Sequence, residues 1–138
     1  MEAGAKFVLL APILPIAAIM AFFWHGPWTP LRMVGLVIAV TSFAILTWAR
    51  VDLGNSFSIA PQAKQLVTSG VYSKVRHPVY TFGILLFLGL AMYVSRPWFL
   101  MGALVLVPVQ VARARAEEKV LIEKFGDEYI AYKKSTWI

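Results

Sequence analysis

Four stretches of this chain contain no aspartate, glutamate, lysine or arginine: residues 7–31, 33–49, 79–94 and 98–112. Few features constrain a fold more tightly. A helix of about 20 predominantly apolar residues is what crosses the hydrocarbon layer of a bilayer, and a soluble domain of similar size intersperses its charges along every element. The whole composition follows the same pattern, with 59% hydrophobic and 14% charged residues and a mean hydropathy of +0.71. These runs predict an all-α integral membrane protein of about four transmembrane helices, with a cytosolic loop and a C-terminal helical tail. By length it is a single membrane domain, residues 1–138, divided into a transmembrane hairpin (1–51) and a core (52–138).

The first span is predicted at roughly residues 6–24, kinked by Pro12 and Pro15. No small-residue cleavage site ends it; Trp24, Pro27 and Trp28 follow, so it reads as a span rather than a signal peptide. The second covers Met33 to Ala49, with Arg32 and Arg50 expected to extend their charges to either interface. Residues 52–76 are too polar to cross and form a long loop, a kind usually functional or disordered. Its interspersed Phe57, Ile59, Leu66, Val67, Val71 and Tyr72 favour order. A third span runs from Val79 to Val94, and Ser95-Arg96-Pro97 turns it into a fourth, Trp98 to Ala112, bent at Pro108. That helix continues into water until Gly126, and Asp127 to Ile138 reads as a short interfacial helix.

Charge sets the orientation. Arg50, Lys64, Lys74 and Arg76 lie in or beside the long loop, and Arg113, Arg115, Lys119, Lys124, Lys133 and Lys134 follow the last span, whereas the opposite turns carry only Arg32 and Arg96. Loops rich in basic residues stay cytoplasmic. The long loop, the tail and both termini are therefore expected on the cytoplasmic side of a plasma membrane, the inner membrane of a bacterium. The net charge of +6 falls between apolar runs rather than on a polar face, which argues against a nucleic-acid partner and for the lipid bilayer. With no cysteine there is no disulfide, thiolate metal site or cysteine nucleophile.

Two polar clusters share the cytoplasmic side. In Arg76-His77-Pro78-Val79-Tyr80 the proline disfavours the helical conformation for His77 and suits the first position of a helix. His77 is then an N-cap, and the free amides beyond it, with Arg76, make an anion site. Tyr80, Gly83 and Phe87 follow on one helical face. The second cluster, Glu117-Glu118, can pair along its own helix with Arg113 and Arg115. Alternatively one of the two glutamates turns toward His77; neighbours on a helix point about 100° apart, so both cannot. A metal site of His77 with both carboxylates lacks any ligand spacing that supports it.

These residues resemble the isoprenylcysteine carboxyl methyltransferases and their relatives among the phospholipid methyltransferases. The resemblance rests on Leu66-Val67-Thr68-Ser69-Gly70-Val71-Tyr72, Val75-Arg76-His77-Pro78-Val79-Tyr80, Gly83, Glu117-Glu118, Phe125-Gly126-Asp127-Glu128-Tyr129 and Tyr132, and covers most of residues 53–138. It implies an S-adenosyl-L-methionine site between the last two spans, the loop and the tail. Arg76, His77 and the amides after Pro78 suit the cofactor's carboxylate, and Glu117 or Glu118 its ribose or amino group. Tyr72, Tyr80 and Tyr129 suit the sulfonium, and the backbone around Leu66, Val67 and Gly70 the adenine. The reaction so implied is methyl transfer to a lipid-like acceptor, with Arg113 positioning a carboxylate or Glu117 taking the proton of an amine. No Gly-x-Gly occurs, so a Rossmann-type methyltransferase is unsupported.

Two other functions remain open on these residues. Sterol reductases that bind a nicotinamide cofactor share the architecture and are the alternative enzyme. A non-enzymatic four-helix membrane protein is the other, although the spans lack the intramembrane ionisable group that ion-coupled transport usually needs.

Overall fold

The computed structural model describes residues 11–54 and 66–137. Among them the chain is helical, with no strand: α1 Ile13–Phe22, α2 Pro30–Leu53, a 3-10 turn Gly70–Ser73, α3 Pro78–Val94, α4 Pro97–Phe125 and α5 Asp127–Ser135. By length and composition α2 and α4 can each cross a membrane, while α1 and α3 are apolar but shorter.

Proline opens three of these helices, at Pro30, Pro78 and Pro97, where its missing amide would have no partner anyway. Thr29 caps α2, its hydroxyl accepting from the Arg32 amide at 3.3 Å. Helix α2 therefore starts ahead of the expected Met33 and ends beyond Ala49, because neither Arg32 nor Arg50 interrupts it. Among the described residues α1 has Pro12 as its N-cap and Pro15 in its first turn, where amides are unpaired in any helix. Residues 6–10 of that expected span, and 55–65 of the expected loop, lie outside the described residues. Helix α4 runs through Pro108 to Gly126, whose φ of 51° and amide bond to the Ile122 carbonyl end it as expected.

Close approach of α2 and α3 holds the bundle. Gly35, Ala39, Ser42, Leu46 and Ala49 form one buried face of α2. A Cβ on Gly35 would stand 2.6 Å from the Tyr93 nitrogen and 2.7 Å from the Gly89 oxygen, and one on Gly89 2.6 Å from the Ala39 nitrogen. Small residues let two helices touch backbone to backbone, as at interfaces formed within membranes. Leu46, Leu86 and Leu90 fill the seam with Ala39, and Ile16 and Met20 of α1 pack against it. Tyr93 is fully buried and its hydroxyl donates to the Met20 carbonyl at 2.8 Å, tying α1 to α3.

Arg32 departs from expectation. Its side chain turns inward and is only 4% exposed, with the guanidinium carbon 4.5 Å from the Tyr93 ring centre and 5.1 Å from that of Trp28. The aromatic faces draw the cation in where extension to the interface was expected.

Helix α4 has no buried residue, and its contacts with α3 include the stacking of Phe87 on Phe99, ring centres 5.7 Å apart. Met101, Leu104 and Val105 are exposed along it, as a lipid-facing helix requires.

Candidate functional site

The site begins where the loop becomes α3. His77 is the N-cap, with φ −123° and ψ 56°, outside the helical region that the following Pro78 disfavours. Its side chain does not cap the helix; Nε2 meets Glu118 Oε1 at 3.2 Å. Arg76 Nη1 donates to the same oxygen at 3.3 Å, and Lys133 Nζ donates to Oε2 at 3.2 Å. One carboxylate thus gathers the loop, the start of α3 and the tail around α4. Burial alone would raise the Glu118 carboxyl, but hydrogen bonds from His77 and Lys133 outweigh it and hold it below the usual carboxylate range. Glu118 stands beyond the apolar part of α4, which ends at Ala112.

Which glutamate turns to His77 was open from the sequence; it is Glu118. Glu117 faces a different way, within hydrogen-bonding reach of Tyr80, which Arg113 also approaches. The Arg113 guanidinium carbon is 5.8 Å from the Tyr80 ring centre. An Arg115–Glu118 pair along the helix is not among the ion pairs of the described residues; those of Glu118 run to other elements.

Two spaces adjoin His77. On one side is a small pocket of about 40 Å³, lined by Leu66, Val67, Tyr72, Arg76, Glu117, Tyr129 and Tyr132 together with Leu53 and Leu121. Across from it, between α3 and α4, a cleft of about 380 Å³ runs past Tyr80, Ile84, Leu85, Gln110, Val111 and Glu118. The pocket is tyrosine-rich and the more polar of the two, with Arg76, His77 and Glu117 beside four aliphatic side chains; the cleft surface is largely apolar, although Thr81, Gln110 and Arg115 also border it.

Tyr72 reaches the pocket because of a contact that the sequence reading missed. Asp52, at the end of α2, accepts from the Val71 amide at 3.0 Å. Gly70 has φ +59°, and a Cβ there would collide with the Asp52 carboxylate. The turn is thereby pinned to α2, and Tyr72 is buried. From the other side, Tyr132 donates from its hydroxyl to the Tyr72 carbonyl at 2.6 Å, and the Trp137 amide donates to the Lys74 carbonyl at 2.9 Å. The tail is consequently a wall of the site in addition to its expected interfacial character. Burial pushes the Tyr72 and Tyr129 phenols up, with the charges of Glu117 and Glu118 respectively adding to it. Tyr132 rises to about 12, again through burial. All three are neutral donors at any physiological pH.

Of the residues named from the sequence, Leu66, Val67, Tyr72, Arg76, His77 and Glu117 come together in the pocket, and Tyr80 and Glu118 join His77 along the cleft. Pro78 is fully buried beneath them. Gly70 positions the turn and lines neither space, nor does Gly83, where a Cβ would meet only Gln110 Nε2 at 3.5 Å. Asp52, Leu53, Leu121 and Lys133 escaped notice. A signal for Asp52 existed: it is the one acidic residue between Glu2 and Glu117.

A profile of the phospholipid methyltransferase family matches residues 28–128. The chain belongs to that family. It is similar to the protein-S-isoprenylcysteine O-methyltransferases of Xenopus laevis (32% identical over 112 residues, 77% of this chain and 39% of the relative), of Schizosaccharomyces pombe (38% over 95 residues, 62% and 39%) and of Saccharomyces cerevisiae (33% over 112 residues, 77% and 47%). The alignments thus span less than half the length of these relatives.

Proposed function

We propose that this chain is a membrane methyltransferase that uses S-adenosyl-L-methionine and methylates a lipid-like acceptor, at a carboxylate or an amine. The observation that carries this reading is that His77 borders both a pocket carrying Arg76, Glu117 and three tyrosines and a larger, mainly apolar cleft. A charged cofactor and a lipid chain need such different surroundings, brought to one point. The family, and the activity printed in the names of the three relatives, support it.

The residues present fit the cofactor. Arg76 Nε is buried with no hydrogen-bond partner among the described residues, and buried donors left unpaired are rare enough to require explanation. Since Arg76 Nη1 and His77 are engaged by Glu118, it is Arg76 Nε that is left to meet a carboxylate. Glu117 suits the amino group or ribose, the rings of Tyr72, Tyr80 and Tyr129 suit the sulfonium, and Leu66 and Val67 the adenine. When bound, the cofactor supplies an electrophilic methyl group. The protein's part is alignment and exclusion of water, without a nucleophile of its own. Arg113, beside Tyr80, suits an acceptor carboxylate, and Glu117 suits the proton of an amine.

The pocket's 40 Å³ is far below the roughly 300 Å³ or more of ordinary small-molecule sites. On this reading the tail and the Tyr72 turn part to admit the cofactor. Helices α1 and α3 join α2 and α4 as spans, four in all. The loop, the tail and both termini face the cytoplasm of a bacterial cell, and residues 52–138 form the cofactor-binding core.

Calorimetric titration of the detergent-solubilised protein with S-adenosyl-L-methionine and its demethylated product tests the reading. Binding is expected, together with transfer of labelled methyl to a lipid extract. No binding at millimolar cofactor by folded protein would reject it.

A further inference from the structure

At the end of the bundle opposite this site the structure holds two more cations, Arg32 and Arg96, with no acidic side chain of the described residues lining the cleft beside them. The turn between α1 and α2 and the turn between α3 and α4 enclose a cleft of about 450 Å³, lined in part by Gly26, Thr29, Arg32, Ser95 and Arg96. Arg32 is 4% exposed, yet its Nε and Nη2 have no hydrogen-bond partner among the described residues. Its guanidinium is held in place rather than swinging free, since it lies over the rings of Tyr93 and Trp28. A Cβ at Gly26 would collide with Nη1, so glycine there keeps the seat open.

Charge makes the case sharper. Six of the seven acidic residues are Asp52, Glu117, Glu118, Glu123, Asp127 and Glu128, and the seventh, Glu2, lies outside the described residues. Asp52 is 20 residues along α2 from Arg32, about 30 Å at the rise of a helix. Glu117 is similarly far along α4 from Arg96. Both α2 and α4 begin at this end and turn their positive dipole ends toward it. Aromatic faces stabilise a cation, but they leave planar N–H donors unmet, and a guanidinium fork matches the oxygens of phosphate or carboxylate.

We propose that this cleft is an oxyanion site that takes a phosphate group, with Arg32 as the buried fork and Arg96, exposed at the rim, as the second cation. The phosphate can belong to a lipid headgroup or be free in solution. In either case it lies at the other end of the helices from the methyltransferase site, and its existence does not depend on that function.

The test is calorimetric titration of the full chain in a phosphate-free maltoside detergent. Its ligands are inorganic phosphate, short-chain phosphatidylglycerol and, as a phosphate-free control, the corresponding diacylglycerol. Saturable binding of phosphatidylglycerol alone assigns the site to a lipid headgroup, of inorganic phosphate alone to a free oxyanion, and of both to the phosphate group whatever its source. Arg96→Gln, on the exposed rim, is expected to weaken binding about tenfold, and Arg32→Lys, which keeps the charge but loses the fork, by at least as much. Circular dichroism checks that each variant is folded. The proposal is overturned if folded wild-type protein binds neither phosphate ligand, if diacylglycerol binds equally well, or if folded Arg96→Gln binds with unchanged affinity.

Discussion

The hydroxyl of Tyr132 donates a 2.6 Å hydrogen bond to the carbonyl of Tyr72, across 60 residues of sequence. It latches the tail over the turn that carries Tyr72 into the pocket. Tyr132→Phe removes this bond alone and should cost about 1 kcal/mol of tail docking. Hydrogen exchange in residues 127–137 should quicken accordingly, and the bundle's thermal midpoint should change less than the tail's protection.

Glu118→Gln leaves Arg76 and His77 facing a neutral amide. Loss of charge-assisted bonds at a partly buried position should cost about 1–2 kcal/mol of stability and loosen the tail through Lys133. Glu117→Gln, by contrast, should leave stability within about 0.5 kcal/mol of wild type and weaken cofactor binding. Thermal unfolding and calorimetry on both variants separate the two roles.

Acid should release the tail. The Glu118 carboxyl is held below its ordinary value of 4.5 by His77 and Lys133 against the opposing effect of burial. A carboxylate with a depressed folded pKa contributes stability that is fully present above its unfolded pKa and is lost as pH falls through the folded one. Tail protection should therefore be unaffected by Glu118 from neutrality down to about pH 4.5 and decline below it, and Glu118→Gln should abolish that step.

Glycines that look alike in the sequence should behave differently. Gly35→Ala and Gly89→Ala place a Cβ within 2.6 Å of backbone atoms that cannot yield, costing about 1–3 kcal/mol through overpacking. At Gly83 a Cβ meets only Gln110 Nε2 at 3.5 Å, so Gly83→Ala should be neutral or stabilise α3 by about 0.5–1 kcal/mol. Thermal unfolding in detergent orders the three.

Gly70→Ala combines a positive φ with a collision against Asp52; strain of this kind costs about 1–3 kcal/mol. It should free the 3-10 turn, which rapid exchange at Val71 and Tyr72 would report.

Helix positions were legible because absence of charge and placement of proline are local properties. Pro78 foretold His77 as a cap, and Gly126 foretold the end of α4. What failed were long-range outcomes. The inward turn of Arg32 depends on Tyr93, far along the chain on another helix. The bond from Val71 to Asp52 depends on how α2 lies beside the loop. Thr29 was overlooked as a cap because Arg32 was taken as the boundary, although Thr-Pro ahead of an apolar run is a start signal. In the site, residue types and motif order identified the participants, but only packing could decide that Glu118 takes His77 and Arg76 while Glu117 is left to face Tyr80.

The Gly35–Gly89 contact also acts as a ruler. Asp52 lies 17 residues beyond Gly35 on α2, about 25 Å along the axis, and antiparallel α3 begins at Pro78, 11 residues before Gly89. With the two backbones interlocked at the glycines, neither helix can slip past the other, so the heights of Asp52 and His77 are set from a point deep in the bundle. A single residue inserted into α2 between Ala39 and Asp52 would move that carboxylate by about 1.5 Å and swing it by about 100°, unhooking Val71 and carrying Tyr72 out of register. The glycine seam thus calibrates a polar site that it never touches.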